Sequence, residues 1–178
     1  MKYVNTKPLN NHQEKIMNKI LISALLTLSI SGLASAHGAH VHGVAEMDVA
    51  IEGNKLVITL ESPADNLLGF EHKPKNDTEK AKLKAVTEQL QSAGNLFAID
   101  VSAQCKAATP SVKMPDFAKG GHSDIEAEYH FECAATPGNI ALPLWKNFPG
   151  FKKITANLAN ANGQKQITLK SGQVLNLK

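Results

Sequence analysis

The chain contains no arginine; all 19 of its basic side chains are lysines. The residue best suited to gripping phosphate or carboxylate at two points is therefore missing. Aromatic residues make up only 5% of the chain, and the six Phe are mostly patterned inward, so an exposed stacking platform for a polysaccharide is hard to assemble around Trp145 and Tyr129. There is no C-x-x-C, no H-E-x-x-H and no pattern of a Ser-His-Asp hydrolase, which removes the commonest sequence signs of a zinc ribbon or a hydrolytic enzyme. Only one long apolar run occurs, from Ile20 to Leu33. It is too short and too rich in Ser and Thr to cross a bilayer comfortably, where about 20 predominantly apolar residues are needed.

That run has the anatomy of a secretory signal. Lys19 supplies the basic start, the apolar run follows, and Ala34-Ser35-Ala36 ends it with small residues, so cleavage is expected after Ala36. Residues 1–36 are then an upstream extension plus a cleaved signal, and Met17 is as good a start as Met1. The mature domain is expected to be residues 37–178, a single metal-binding unit by the argument below, exported to the periplasm and not embedded in the membrane. Lys2, Lys7, Lys15, Lys19 and Glu14 fall in the removed part, which leaves 15 lysines against 15 carboxylates from the 19 and 16 of the whole chain. A net charge near zero makes nucleic acid an unsuitable partner. The two cysteines, Cys105 and Cys133, are expected to form a disulfide in an oxidising compartment; a pair of zinc thiolates is the rival reading.

Period-two patterning dominates the mature chain. In "VHGVAEMDVAIEG" the odd positions Val41, Ala45, Met47, Val49 and Ile51 are apolar or small and the even positions are mostly polar, so this reads as a strand with one wet face. Gly53-Asn54 turns it into a second strand, "KLVITLES". "SPADNLLGFEHKPK" is an irregular link, and Leu83, Val86 and Leu90 mark a helix from about Asp77 to Ala93, with Gly94 as its stop. "NLFAIDVSAQC" and "DIEAEYHFEC" read as strands ending in the cysteines, "ALPLWKNFPGF" holds one helical turn, and the tail supplies short antiparallel strands. The fold class is α+β, mainly antiparallel sheet in a small sandwich with one main helix and one disulfide.

The remaining feature is histidine. "HGAHVHG" places His37, His40 and His42 within six residues. Imidazole suits zinc, copper and nickel and is not needed by calcium or magnesium, so a transition-metal site is the chemistry these residues point to. A second group lies on "DIEAEYHFEC", where Glu126, Glu128, His130 and Glu132 share the face opposite Tyr129 and Phe131. If both strands present their wet faces together, His40 or His42 meets Glu128 or His130 across the sheet and completes a four-coordinate zinc site. His72 and His122 lie in loops and are further candidates.

Taken together, "HGAHVHGVAEMDVAIEG", "LESPADNLLGFEHKP", "HSDIEAEYHFEC" and the "FPGFKKI" region resemble the ZrgA-like periplasmic zinc-binding proteins over nearly the whole mature chain. The resemblance implies a protein, not an enzyme, that binds zinc ion and assists a zinc ABC transporter or its binding protein. It also implies His37, His40, His42, His72, His122 and His130 as candidate ligands. In place of the long His-, Asp- and Glu-rich middle loop common in that family, this chain has "MPDFAKGGHSD" with His122 alone. Two other classes remain open at this stage. Cleavage after Ala36 would pair the amine and imidazole of His37 as a copper chelate, the mark of a periplasmic copper carrier, and a metalloenzyme beginning with a mature His shares that feature.

Overall fold

The structure, a computed structural model, describes residues 41–118 and 123–178, which belong to the second of the chain's two units, Ala39–Lys178. The expected signal segment, residues 1–36, and His37, His40 and His122 lie outside the described residues.

Alternation builds the first hairpin as the sequence predicts. β1 (Val44–Glu52) buries Ala45, Met47 and Val49, and Gly53 takes φ 60° in the two-residue turn into β2 (Lys55–Pro63). Pro63 ends β2, and α1 (Ala64–Leu68) follows at once, closed by Gly69 at φ 79°. The main helix α2 (Asp77–Leu90) starts where Asn76 accepts the Glu79 N–H through its side chain, while the Glu79 carboxylate reaches back to the Lys75 N–H. Only Val86 and Leu90 of this helix are buried. It ends earlier than Gly94 predicts, because Ala93 to Leu96 form a separate short helix, α3 (Ala93–Leu96), which turns Leu96 and Phe97 into the core.

The expected strand from Asn95 to Cys105 is not formed. α3, a two-residue β3 (Ala98–Ile99) and a single 3₁₀ turn (Val101–Ala103) take its place, the last capped by Asp100 on the Ser102 N–H. β4 (Lys106–Ala107) and β5 (Ser111–Lys113) then pair with the same edge of β6 (Asp124–Glu132). After β7 (Asn139–Ala141) and α4 (Leu144–Asn147), the chain closes with β8 (Lys153–Asn160), β9 (Gly163–Leu169) and β10 (Val174–Asn176).

The large sheet runs in the order β4-β6-β2-β1-β8-β9, with β5 also on β6; β10, β7 and β3 form a second sheet. Among the described residues the pairings are antiparallel except one: β8 lies parallel to β1, with Val44 opposite Lys153. The inward face of the large sheet contributes Met47, Ile58, Leu60, Tyr129, Ile154 and Leu158 to one core with Leu90, Phe97, Ile140, Leu144 and Phe148. Cys105 and Cys133 are joined, with sulfurs 2.01 Å apart, so the thiolate reading of this pair is excluded.

Tyr129 ties the sheet to α2. Its hydroxyl donates to the Leu90 carbonyl at 3.0 Å, and its ring meets Phe97 edge-on at 4.9 Å. Burial pushes its ionisation well above the ordinary phenol range. The folded state thus holds this proton more tightly than the unfolded chain. The contribution is complete below about pH 10 and is lost as pH rises toward the folded value, at about 1.4 kcal/mol per pH unit. Denaturant unfolding between about pH 10 and 12 is expected to approach that slope, and Tyr129→Phe to remove it at a cost of about 1 kcal/mol at neutral pH. An equal slope in the variant would assign alkaline loss to other groups.

Candidate metal site

At the end of the sheet where β1 begins, Val41 to Val44 form a hydrogen-bonded turn. The Val44 N–H donates to the Val41 carbonyl at 2.9 Å and Gly43 has φ 85°. A turn with positive φ at its third residue is a type II turn, which calls for glycine there and leaves His42 at the second position. The turn is gripped on both sides. The Gly43 N–H donates to Asn66 Oδ1 at 2.5 Å, Asn66 Nδ2 donates to the Val44 carbonyl at 2.9 Å, and the Lys152 and Lys153 N–H groups donate to the Gly43 carbonyl at 2.7 and 3.0 Å.

His42 stands between two carboxylates. Its Nδ1 is 3.4 Å from Asp65 Oδ2 on α1, and its Nε2 is 3.3 Å from Glu71 Oε1 in the loop after α1. Two ligand atoms that each lie about 2.0 to 2.1 Å from a tetrahedral zinc are themselves separated by about 3.3 Å, so each pair already has the spacing of one edge of such a site. The two nitrogens point in opposite directions, and one ion takes only one of them. An ion shared by Nε2 and Glu71 would leave Asp65 to accept the Nδ1–H, the arrangement that orients many metal-bound histidines. The side chain of His42 is 56% exposed, which suits an ion that must come and go.

His72 belongs to the same loop. Its ring stacks on Phe70 at 5.2 Å, and its Nδ1 lies 3.1 Å from the Lys73 carbonyl and 3.9 Å from Glu79 Oε2. The carbonyl contact calls for the hydrogen on Nδ1, which makes Nε2 the nitrogen with a lone pair to offer a metal. Phe117 packs on Phe70 at 6.4 Å, and the Ser123 carbonyl accepts the Ala64 N–H at 2.7 Å. Both described flanks of the segment that contains His122 are thus anchored beside α1 and its loop. Val41, the described neighbour of His40, opens the His42 turn. Among the described residues, no group of three or more His, Cys, Asp or Glu side chains is arranged to hold a metal ion.

Of the cross-strand site expected from His40 or His42 with Glu128 or His130, the described His42 does not meet His130. β2 lies between β1 and β6, and His130 stands in the row of Val57 and Ala50. That row is six positions beyond Val44, about 20 Å along the strands at 3.3 Å per residue. His42 also precedes the strand and takes no part in its alternation. His130 Nε2 instead contacts Glu128 Oε1 on its own strand, on the wet face, where Lys113 pairs with Glu126 at 3.0 Å. Asp65 and Glu71 were not singled out by the sequence pattern. The nearest sign was Glu71 beside His72 in "GFEH".

No curated protein matches the chain. The family model described as "ZrgA family zinc uptake protein" matches residues 39–175, which takes in the His42 turn, α1, the "GFEH" loop and the strands from β1 to β9. The chain therefore belongs to the ZrgA family of zinc uptake proteins.

Proposed function

We propose that this protein is a periplasmic zinc carrier that binds the ion as exchangeable cargo at the His42 end of the sheet and delivers it to a zinc ABC importer. The observation that carries the reading is His42 held on a clamped turn between Asp65 and Glu71 at 3.4 and 3.3 Å. Family membership supports zinc as the ion, and the signal-like sequence before Ala36 supports export. His72, in the loop that carries Glu71, is a further candidate ligand, as are His40 and His122. His37, Glu128 and His130 have no part in this reading. A mixed set of imidazole and carboxylate donors gives a site open to exchange, in contrast to the closed thiolate sites that hold zinc as a structural element. The protein acts by binding and transfer, without catalysis.

The test is metal content and growth. Mature protein recovered from the periplasm of zinc-replete cells is expected to carry zinc, and deletion of its gene to slow growth under zinc chelation while copper tolerance is unchanged. Copper in the recovered protein, with copper sensitivity in the deletion strain, would overturn zinc in favour of a copper carrier.

A further inference from the structure

We infer that Asn66 is a positioning residue for zinc binding, acting through His42; the inference rests on the reading of His42 as a zinc ligand. Asn66 is only 4% exposed and its amide is used at both ends. Oδ1 accepts the Gly43 N–H, and Nδ2 donates to the Val44 carbonyl and to Ser62 Oγ, 2.9 and 3.0 Å away. Gly43 and Val44 are the two residues that follow His42, so one amide fixes the backbone from which the imidazole projects. The same residue stands next to Asp65, which contacts His42 Nδ1, so one rigid turn of helix sets both the histidine and one of its carboxylates.

The rest of the surroundings hold Asn66 in place. Any side chain at Gly150 would run into the Asn66 backbone, so the glycine of "FPGF" lets this segment close directly on α1. Lys152 and Lys153, immediately after it, grip the Gly43 carbonyl from the other side. The donor and acceptor pattern demands an amide. A carboxylate at position 66 keeps the acceptor for Gly43 but has no hydrogen for Val44, and a smaller side chain keeps neither.

A binding site held ready before the ion arrives gives higher affinity than one that must be ordered on binding. The experiment is a double-mutant cycle on the mature protein, with zinc affinity measured by chelator competition and unfolding by denaturant. Asn66→Ala is expected to weaken zinc binding at least tenfold. In a His42→Ala background, the same change is expected to alter the residual affinity less than twofold, while lowering stability equally in both backgrounds. If Asn66→Ala does not fold, Asn66→Asp is expected to show the same dependence on His42 with a smaller loss. Equal affinity losses in both backgrounds would mean that Asn66 only supports the fold, and no affinity loss in the His42-containing protein would overturn the positioning role directly. If His42→Ala itself leaves zinc binding unchanged, it is the reading of His42 as a ligand that fails.

Discussion

Replacing His42 with Ala is expected to weaken zinc binding about a hundredfold or more at neutral pH, whereas His130→Ala should change it less than twofold. Even the outer partners of metal ligands typically contribute about 10- to 100-fold in affinity, and His42, the ligand proposed above, has its two nitrogens 3.4 and 3.3 Å from carboxylate oxygens of Asp65 and Glu71. His130 sits about 20 Å further along the sheet, paired with Glu128. Because zinc binds the folded state, a hundredfold weaker site removes up to about 2.7 kcal/mol of zinc-dependent stabilisation. Zinc-induced melting shifts therefore report the same difference independently of chelator competition. Apo stability should stay within about 0.5 kcal/mol in both variants, since both side chains are exposed. Equal losses at both positions would place part of the site on β6, in spite of the strand order. An unchanged His42→Ala would move the site to His72 or to the histidines outside the described residues.

The contrast between those two histidines shows what the sequence could and could not reveal. Alternation correctly assigned the buried faces of β1 and β6, down to Met47, Val49, Tyr129 and Phe131. It carries no information on which strand lies beside which. The insertion of β2 between them depends on its pairing with β6, from Lys55 opposite Glu132 to Pro63 opposite Asp124, and the parallel approach of β8 to β1 on still more distant contacts such as the Asp48–Asn157 side-chain bond with a separation of 109. Local rules likewise found the Gly53-Asn54 turn and the start of the main helix at Asp77. They failed from Asn95 to Cys105, where apolar Leu96 and Phe97 enter the core from a short helix instead of a strand.

The site divides along the same line. His42 and His72 were legible as candidate ligands because imidazole is rare in this chain and chemically specific. Asp65 and Glu71 were not, because carboxylates are common and only the fold of α1 brings these two to His42. Asn66 was the least visible of all. A buried asparagine in "PADNLL" has no sequence signature, and its role appears only once the turn after His42 is seen folded against it.

Removing the Cys105–Cys133 bond is expected to have the largest effect on stability and almost none on zinc affinity. The cysteines are 28 residues apart, for which the chain-entropy model gives about 3 to 4 kcal/mol. A loss of that size should lower the melting temperature by about 10 °C or more in a domain of this length. The bond continues the β4–β6 ladder by one rung past Lys106 and Glu132, and the Cys133 N–H donates to the Asn54 carbonyl, so the staple sits at the β1–β2 turn. The His42 turn is at the other end of the sheet, nearly the full nine residues of β6 away, or about 25 to 30 Å. Thiol titration of exported protein in denaturant should find no reactive thiol before reduction, and the Cys105→Ser, Cys133→Ser double variant should unfold at lower denaturant while its folded form binds zinc within twofold of the parent. Two reactive thiols in the exported protein would show that the bond does not form in the cell. A large drop in zinc affinity of the folded double variant would show that order at the two ends of the sheet is coupled, and that the His42 turn depends on more than the clamp formed by Asn66, Lys152 and Lys153.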